Sequence, residues 1–247
     1  MNIIGIIPAR YGSTRFEGKP LTDIGGKTMI RRVTEQAMKA QKLAAVAVAT
    51  DDARIADEVR SFGGTVVMTS AEHLNGTSRC AEAAELLGGQ WDAVINIQGD
   101  EPFIHPGQID LLAGLFDAPE TEIGTLVKKL HDIADLDNTN IIKVVLDEAR
   151  RGMYFSRSPI PHLRGVEAEA RLEKHTFYKH IGIYGYRMAV LRELVKLAPT
   201  PLEMAESLEQ LRWRENGFSI RTALTDLETI SVDVPTDIDK LRAAGLI

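Results

Sequence analysis

Residues 3–21 read IIGIIPARYGSTRFEGKPL, an apolar run that gives way to a loop of glycines and cations. The run Ile3–Ile7 is too short for a helix. It is rich in isoleucine, as strands buried on both faces of a parallel sheet are. Similar runs recur at Ala45–Ala49, Thr65–Met68 and Ala93–Ile97. Between them, Met29–Lys42, Ala53–Phe62 and Thr77–Leu87 carry apolar residues at helical spacing. Strand–helix–strand alternation of this kind predicts a parallel sheet with helices on both faces. Such sheets place their sites beyond the carboxyl ends of the strands, so the residues after each run are the ones to read for chemistry.

Beyond Asp100 the pattern loosens. Gly124–Leu130, Ile141–Leu146, Met153–Ser156 and Ile181–Tyr186 read as further strands, and irregular polar stretches such as Pro159–Lys174 separate them. Helices are expected at Met188–Leu197 and Pro201–Glu215, a strand near Ser219–Leu224, and a last helix from about Thr236. The expectation is one α/β domain over 1–247, with a mostly parallel mixed sheet and a small inserted lobe at approximately 150–190.

Composition narrows the function. The 247 residues are 44% hydrophobic and 26% charged, which excludes disordered, collagen-like and coiled-coil classes. The formal net charge of −6 argues against a general nucleic-acid binder, which needs a basic face. No stretch approaches the roughly 18 apolar residues of a membrane span. The N-terminal run has no basic segment before it, so it does not read as a signal peptide. The one cysteine, Cys80, cannot form an intramolecular disulfide, and a reducing, cytoplasmic setting is expected.

In the first loop Arg10, Arg15 and Lys19 are interleaved with Gly12 and Gly18. Glycine lets backbone amides approach an anion; arginine offers a fork and lysine a point charge. The order matches neither a Walker loop nor GxGxxG, but it suits a triphosphate. The second run ends in Thr50-Asp51-Asp52. These groups can read a base or ribose edge, or Thr50 or Asp51 can cap the helix from Ala53. In NGTSRCAEA, Thr77 is a candidate cap, and Arg79 lies in the first helical turn, where a cation opposes the helix dipole and so hints at an anionic partner. The fourth run leads into NIQGDEP, with Gln98, Asp100 and Glu101. A carboxylate just past a buried strand and beside a glycine is a natural Mg²⁺ ligand. Mg²⁺ takes one or two carboxylates with water and phosphate oxygens, so a second is expected far away in sequence. Asp233, in SVDVPTD, is the candidate.

Together these segments resemble the CMP-Kdo synthetases, the 3-deoxy-manno-octulosonate cytidylyltransferases. The resemblance runs through IIPARYGSTRFEGKPL, VATDD, NGTSRCAEA, NIQGDEP, IKVVLD, YFSRSPIP, KHIGIYGYR, SLEQLRWRENG and SVDVPTDID, spread over nearly the whole chain. CMP-sialate synthetases carry a similar first loop; YFSRSPIP, KHIGIYGYR and SLEQLR favour Kdo. The resemblance implies a Rossmann-like nucleotidyltransferase fold and transfer of CMP from CTP to Kdo with release of pyrophosphate, for lipopolysaccharide assembly. It implies catalytic roles for Lys19, Arg10, Asp100 and Asp233, and a nucleotide site of Arg10, Arg15, Lys19, Thr50, Asp51 and Arg79. It implies Mg²⁺ on Asp100 and Asp233, a sugar site of Gln98, Arg157, His180, Tyr184, Glu209 and Gln210, and a homodimer. A related acid sugar, amino-Kdo or sialate, is the nearest alternative, and a catalytically inactive nucleotide-binding regulator is a second.

The later residues also have readings of their own. Arg157 follows an apolar run and can hold a carboxylate as a fork. A lone histidine such as His180 is more often a structural hydrogen-bonder. Tyr184 reads as core with a hydroxyl seeking a partner. Glu209 and Gln210 are adjacent on a helix, about 100° apart, and can face one pocket only obliquely.

Overall fold

The computed structural model describes residues 1–12, 16–228 and 230–247. The strands are β1 (Ile3–Ala9), β2 (Ala45–Thr50), β3 (Val66–Met68), β4 (Ala93–Asn96), β5 (Ile123–Lys129), β6 (Lys143–Leu146), β7 (Gly152–Ser156), β8 (Tyr178–Arg187) and β9 (Ile220–Leu224). The helices are α1 (Met29–Ala37), α2 (Ala53–Ser61), α3 (Gly76–Leu86), α4 (Pro106–Gly114), α5 (Ile133–Asp137), α6 (Arg171–Lys174), α7 (Met188–Leu194), α8 (Pro201–Glu206), α9 (Glu209–Glu215) and α10 (Asp237–Ala243).

The main sheet has the order β3-β2-β1-β4-β8-β5-β9, and only β8 runs against the rest. This is the mixed, mostly parallel α/β fold that the alternation predicts. Along β1 the side chains divide by parity. Ile4 and Ile6 join one core with Cys80, Ala83 and Ala84 of α3 and Leu211 and Trp213 of α9. Ile3 and Ile7 join the other with Ile30 and Val33 of α1, Ile55 of α2 and Leu112 of α4. A period of two feeding two cores is what places helices on both faces.

Three expectations change. The helix expected over Pro201–Glu215 is two helices, broken at Ser207, whose backbone is left-handed with φ 53° and ψ 50°. Helix α4 was not foreseen, because its sequence PGQIDLLAG is apolar around most of its circumference; Pro106 in its first turn was the usable signal. Strand β8 pairs with β4 and β5 at the centre of the sheet, so residues 178–187 belong to the main body and not to an inserted lobe. The hairpin of β6 and β7 lies off the main path and joins it through β8. Residues Leu163 and Leu172, in the irregular stretch after it, pack on a separate small cluster of Leu130, Leu136 and Phe177. Among the described residues no helix is long and apolar enough to cross a membrane.

Candidate active site

The site forms where β1 and β4 end and α3 begins. Gly18 has φ 70°, closes the first loop by donating its N–H to Tyr11 O at 3.0 Å, and starts the short turn that carries Lys19. Beyond β4, a Cβ on Gly99 would sit 3.0 Å from Pro8 O, so glycine lets the two strand ends meet. Asp233 arrives from the far end of the chain. Val232 is buried with Ile24, Met29 and Leu241, and its N–H donates to Asp100 O at 2.9 Å. Asp237 then accepts from the N–H groups of Asp233 at 2.8 Å and Val234 at 3.0 Å, which fixes the turn. The burial of Asp237 raises its pKa, but hydrogen bonds from Lys240 and these amides outweigh that and hold it below the usual carboxylate range.

Lys19 Nζ lies 3.0 Å from Asp100 Oδ2 and 3.7 Å from Asp233 Oδ1. Two carboxylates therefore converge on one cationic point. They border a cavity of about 270 Å³, which Arg10, Arg79, Gly76 and Gln98 also line. Among the described residues no third His, Cys, Asp or Glu joins the aspartates to make a full protein cage. A pair of carboxylates beside a cavity lined by Arg10, Lys19 and Arg79 fits Mg²⁺, which keeps water and other oxygens in its shell.

Arg79 is buried, donates to Thr69 Oγ1 at 2.7 Å and pairs with Asp51 Oδ2 at 3.5 Å. Part of the signal read from its place near the helix start is thus answered within the fold. The caps also differ from expectation. Asp52, not Thr50 or Asp51, caps α2 through Arg54 N–H at 2.9 Å, and Asn75, not Thr77, caps α3 through Ser78 N–H at 2.8 Å. Thr50 is fully buried at the end of β2, where its hydroxyl accepts from Asp52 N–H, and it does not line the cavity. Arg15 lies outside the described residues.

A second cavity of about 190 Å³ adjoins the first and shares Gly76 and Gln98 with it. Tyr184, Glu209, Gln210, Asn96 and Trp213 line it. Its shape comes from β8. The pairing of β5 with β8 slips between Thr125 and Leu126, leaving Gly182 and Ile183 bulged, and Gly182 O accepts from Gln98 Nε2 at 3.0 Å. Three buried polar atoms on this wall have no hydrogen-bond partner among the described residues: Tyr184 Oη, Trp213 Nε1 and Asn96 Oδ1. Buried polar atoms of this kind call for a water molecule or a polar ligand group to satisfy them. Glu209 accepts from Thr77 Oγ1 at 2.9 Å, and burial pushes its carboxyl up despite that bond.

Two expected sugar residues lie elsewhere. His180 lines neither cavity. Its ring packs edge-on to Phe155 and against Tyr184, and its Nε2 lies 2.9 Å from Thr125 Oγ1. The Thr125 hydroxyl donates to Ile183 O at 2.8 Å, so it accepts from His180 Nε2–H. Burial pulls the His180 pKa down to about 3, so the ring is neutral. Arg157 also lines neither cavity. Its guanidinium donates to the carbonyls of Glu206 at 2.7 Å, Thr139 at 3.1 Å and Ser207 at 3.4 Å. A fork spent on three carbonyls is not presented to a carboxylate.

The cytidylyltransferase family model matches residues 4–225. A 3-deoxy-manno-octulosonate cytidylyltransferase from Parabacteroides distasonis is 53% identical over 247 residues, covering 98% of each chain. The enzyme of the same name from Bacteroides thetaiotaomicron is 52% identical, covering 96% of each. The chain belongs to the 3-deoxy-manno-octulosonate cytidylyltransferase family. A solved structure of CMP:2-keto-3-deoxy-manno-octonic acid synthetase complexed with CTP superposes with a TM-score of 0.91 at 41% identity, covering all of this chain and 99% of that one.

For a cytidylyltransferase of this family, the sequence reading missed Asn96, Trp213, Val232 and Asp237. Trp213 was accessible, since it lies four positions after Glu209 and so on the same helix face. Asn96 was not, because nothing local tells which side of a buried strand end faces a cavity.

Proposed function

We propose that this chain transfers CMP from CTP to 3-deoxy-manno-octulosonate, releasing pyrophosphate and giving the activated sugar used for lipopolysaccharide. The observation that carries the reading is the pair of adjoining cavities. One is bordered by Lys19, Arg10 and the two aspartates, the other by unpartnered polar atoms, and Gly76 and Gln98 form their common wall. A triphosphate in the first and a polyol in the second bring a sugar hydroxyl against the α-phosphorus.

In this reading Lys19 and Arg10 bind the phosphates and stabilise the charge that builds as pyrophosphate leaves. Asp100 and Asp233 would hold Mg²⁺, which when bound neutralises phosphate charge and lowers the pKa of the attacking hydroxyl. Tyr184, Trp213, Glu209 and Gln210 orient the sugar so that the anomeric hydroxyl is in line with the bond that breaks, and holding the two reactants in register is most of the protein's work. Arg79, already paired with Asp51 and Thr69, shapes the nucleotide wall. The reading includes a cytoplasmic homodimer joined through the stretch 159–174, which stands off the main sheet; light scattering in solution checks the dimer.

The test of the reaction is pyrophosphate release from CTP and Mg²⁺ with three sugars offered separately. Turnover with 3-deoxy-manno-octulosonate well above that with its 8-amino analogue and sialate supports the reading. Preference for either analogue reassigns the sugar, and no release with any of them overturns the activity.

A further inference from the structure

Arg54, in the first turn of α2, stands over the ring of Tyr11 with its guanidinium carbon 3.3 Å from the ring centre. The side chain is more than half exposed, yet Asp52 holds it as a fork, Nε at 2.9 Å and one terminal nitrogen at 2.6 Å. Asp52 is in turn fixed as the cap of α2. An arginine already held by a carboxylate has lost most of its rotamer freedom, so its contact with the ring costs little more. Tyr11 itself is half-buried against the core of Ile7, Ile30 and Ile55. The chain meets the ring again at Gly18. A Cβ there would stand 3.2 Å from three of the ring's atoms, and the Gly18 N–H closes on Tyr11 O at 3.0 Å. Arg10 and Lys19, the residues just outside this closure, both line the first cavity; Tyr11 and Arg54 do not.

We infer that Tyr11 and Arg54 are positioning residues for the nucleotide: the ring, held between the core and a fixed guanidinium, sets the spacing of Arg10 and Lys19 around the triphosphate. The inference rests on the reading of the first cavity as the triphosphate site. Arg10 follows directly on β1 and is placed by the sheet. Lys19 is reached only after the loop, so its place depends on where the loop closes. That closure rests on the Gly18–Tyr11 bond and on the contact of Gly18 with the ring. A ring free to swing carries Gly18 with it, and the Lys19 ammonium away from Arg10. Arg54 touches no phosphate and acts through the ring.

The test is steady-state kinetics of Arg54→Gln, Tyr11→Leu, Tyr11→Phe and the double variant of Tyr11→Leu with Arg54→Gln, varying CTP and the acid sugar in turn. Arg54→Gln should raise KM for CTP about threefold, the scale of a cation over a ring at an exposed site. Tyr11→Leu should raise it about tenfold, because the loop then loses the ring altogether and its cations their alignment. Neither should move KM for the acid sugar by more than about twofold, since no residue of this loop lines the second cavity. Tyr11→Phe keeps the ring and should match the parent. Adding Arg54→Gln to Tyr11→Leu should change nothing further, because the guanidinium acts through the ring. A variant that merely held less folded enzyme would lose kcat with both KM values unchanged, and that pattern in Arg54→Gln overturns the inference. So does parent-like behaviour of Arg54→Gln. So does a full further rise when Arg54→Gln is added to Tyr11→Leu, because the guanidinium would then act on the nucleotide directly. Arg54 is exposed, so Arg54→Gln carries the test if Tyr11→Leu does not fold. A parent enzyme that releases no pyrophosphate from CTP rejects the triphosphate reading itself, and the inference with it.

Discussion

The Lys19 ammonium sits 3.0 Å from Asp100 and, from the same nitrogen, 3.7 Å from Asp233. The cation comes from the first loop, one anion from the end of β4 and the other from near the C-terminus. Two carboxylates this close repel unless a positive charge stands between them. In the free protein Lys19 supplies that charge. The same ammonium lines the first cavity, so in the proposed reading it would also reach the phosphates.

Lys19→Ala should therefore lower kcat/KM by about 100-fold or more, the scale seen when a donor aimed at developing charge is removed. It should also tighten Mn²⁺ binding in the absence of nucleotide, since the internal cation no longer competes for the aspartates. Kinetics and a Mn²⁺ titration followed by electron paramagnetic resonance check the two halves. Unchanged kinetics in a folded variant would remove Lys19 from the phosphate site.

The aspartate pair gives a second expectation. If Asp100 and Asp233 hold one ion, Asp100→Asn and Asp233→Asn should abolish Mg²⁺-dependent turnover to a similar degree. The double variant should lose little more than either single one, because effects that pass through one ion are not additive. Strictly additive losses would mean that the two side chains act separately.

How much of this was legible in the chain depends on distance along it. That the two aspartates would meet was expected from their positions after apolar runs and the coordination habits of Mg²⁺, and they do converge on Lys19. What joins them, the Val232 N–H to Asp100 O bond and the bonds to Asp237, is a contact between distant segments that leaves no local pattern. Arg157 shows the same limit from the other side. An arginine after a buried strand suggests a free fork, but its main partner lies 49 positions away and offers a carbonyl, a group every residue has. The sheet was readable because alternating strands and helices write their period into sequence. The bulge in β8 that opens the second cavity was not, since it depends on the register with β5.

Base choice tests the other end of the nucleotide. Membership in a cytidylyltransferase family leads us to expect CTP over UTP by at least about 100-fold in kcat/KM. A site that accepts a hydrogen bond from the cytosine amino group leaves its own acceptor unpaired against a carbonyl. Pyrophosphate release measured with each nucleotide checks it. Equal rates would leave nucleotidyl transfer standing and reject selection at that position.

His180 predicts how stability depends on pH. Its ring is half-buried, edge-on to Phe155 and against Tyr184, and the loss of solvation drops its pKa from the ordinary 6.5 to about 3. Between these values the unfolded chain binds a proton that the folded protein refuses. Stability therefore rises with pH across that window and is lost as pH falls from about 6.5 toward 3. Above 6.5 the ring is neutral in both states and contributes no slope. Carboxylates held below their usual range, such as Asp237 and Glu206, add acid sensitivity of the same sign nearer pH 4, so the His180 contribution is cleanest between pH 7 and 5. Asn can keep a hydrogen bond to Thr125 but does not titrate. Thermal melts of the parent and of His180→Asn at pH 7 and 5 should show a smaller fall in Tm for the variant, whatever its absolute stability. Equal falls would show that the ring takes up its proton without leaving the fold, and the neutral assignment would be wrong.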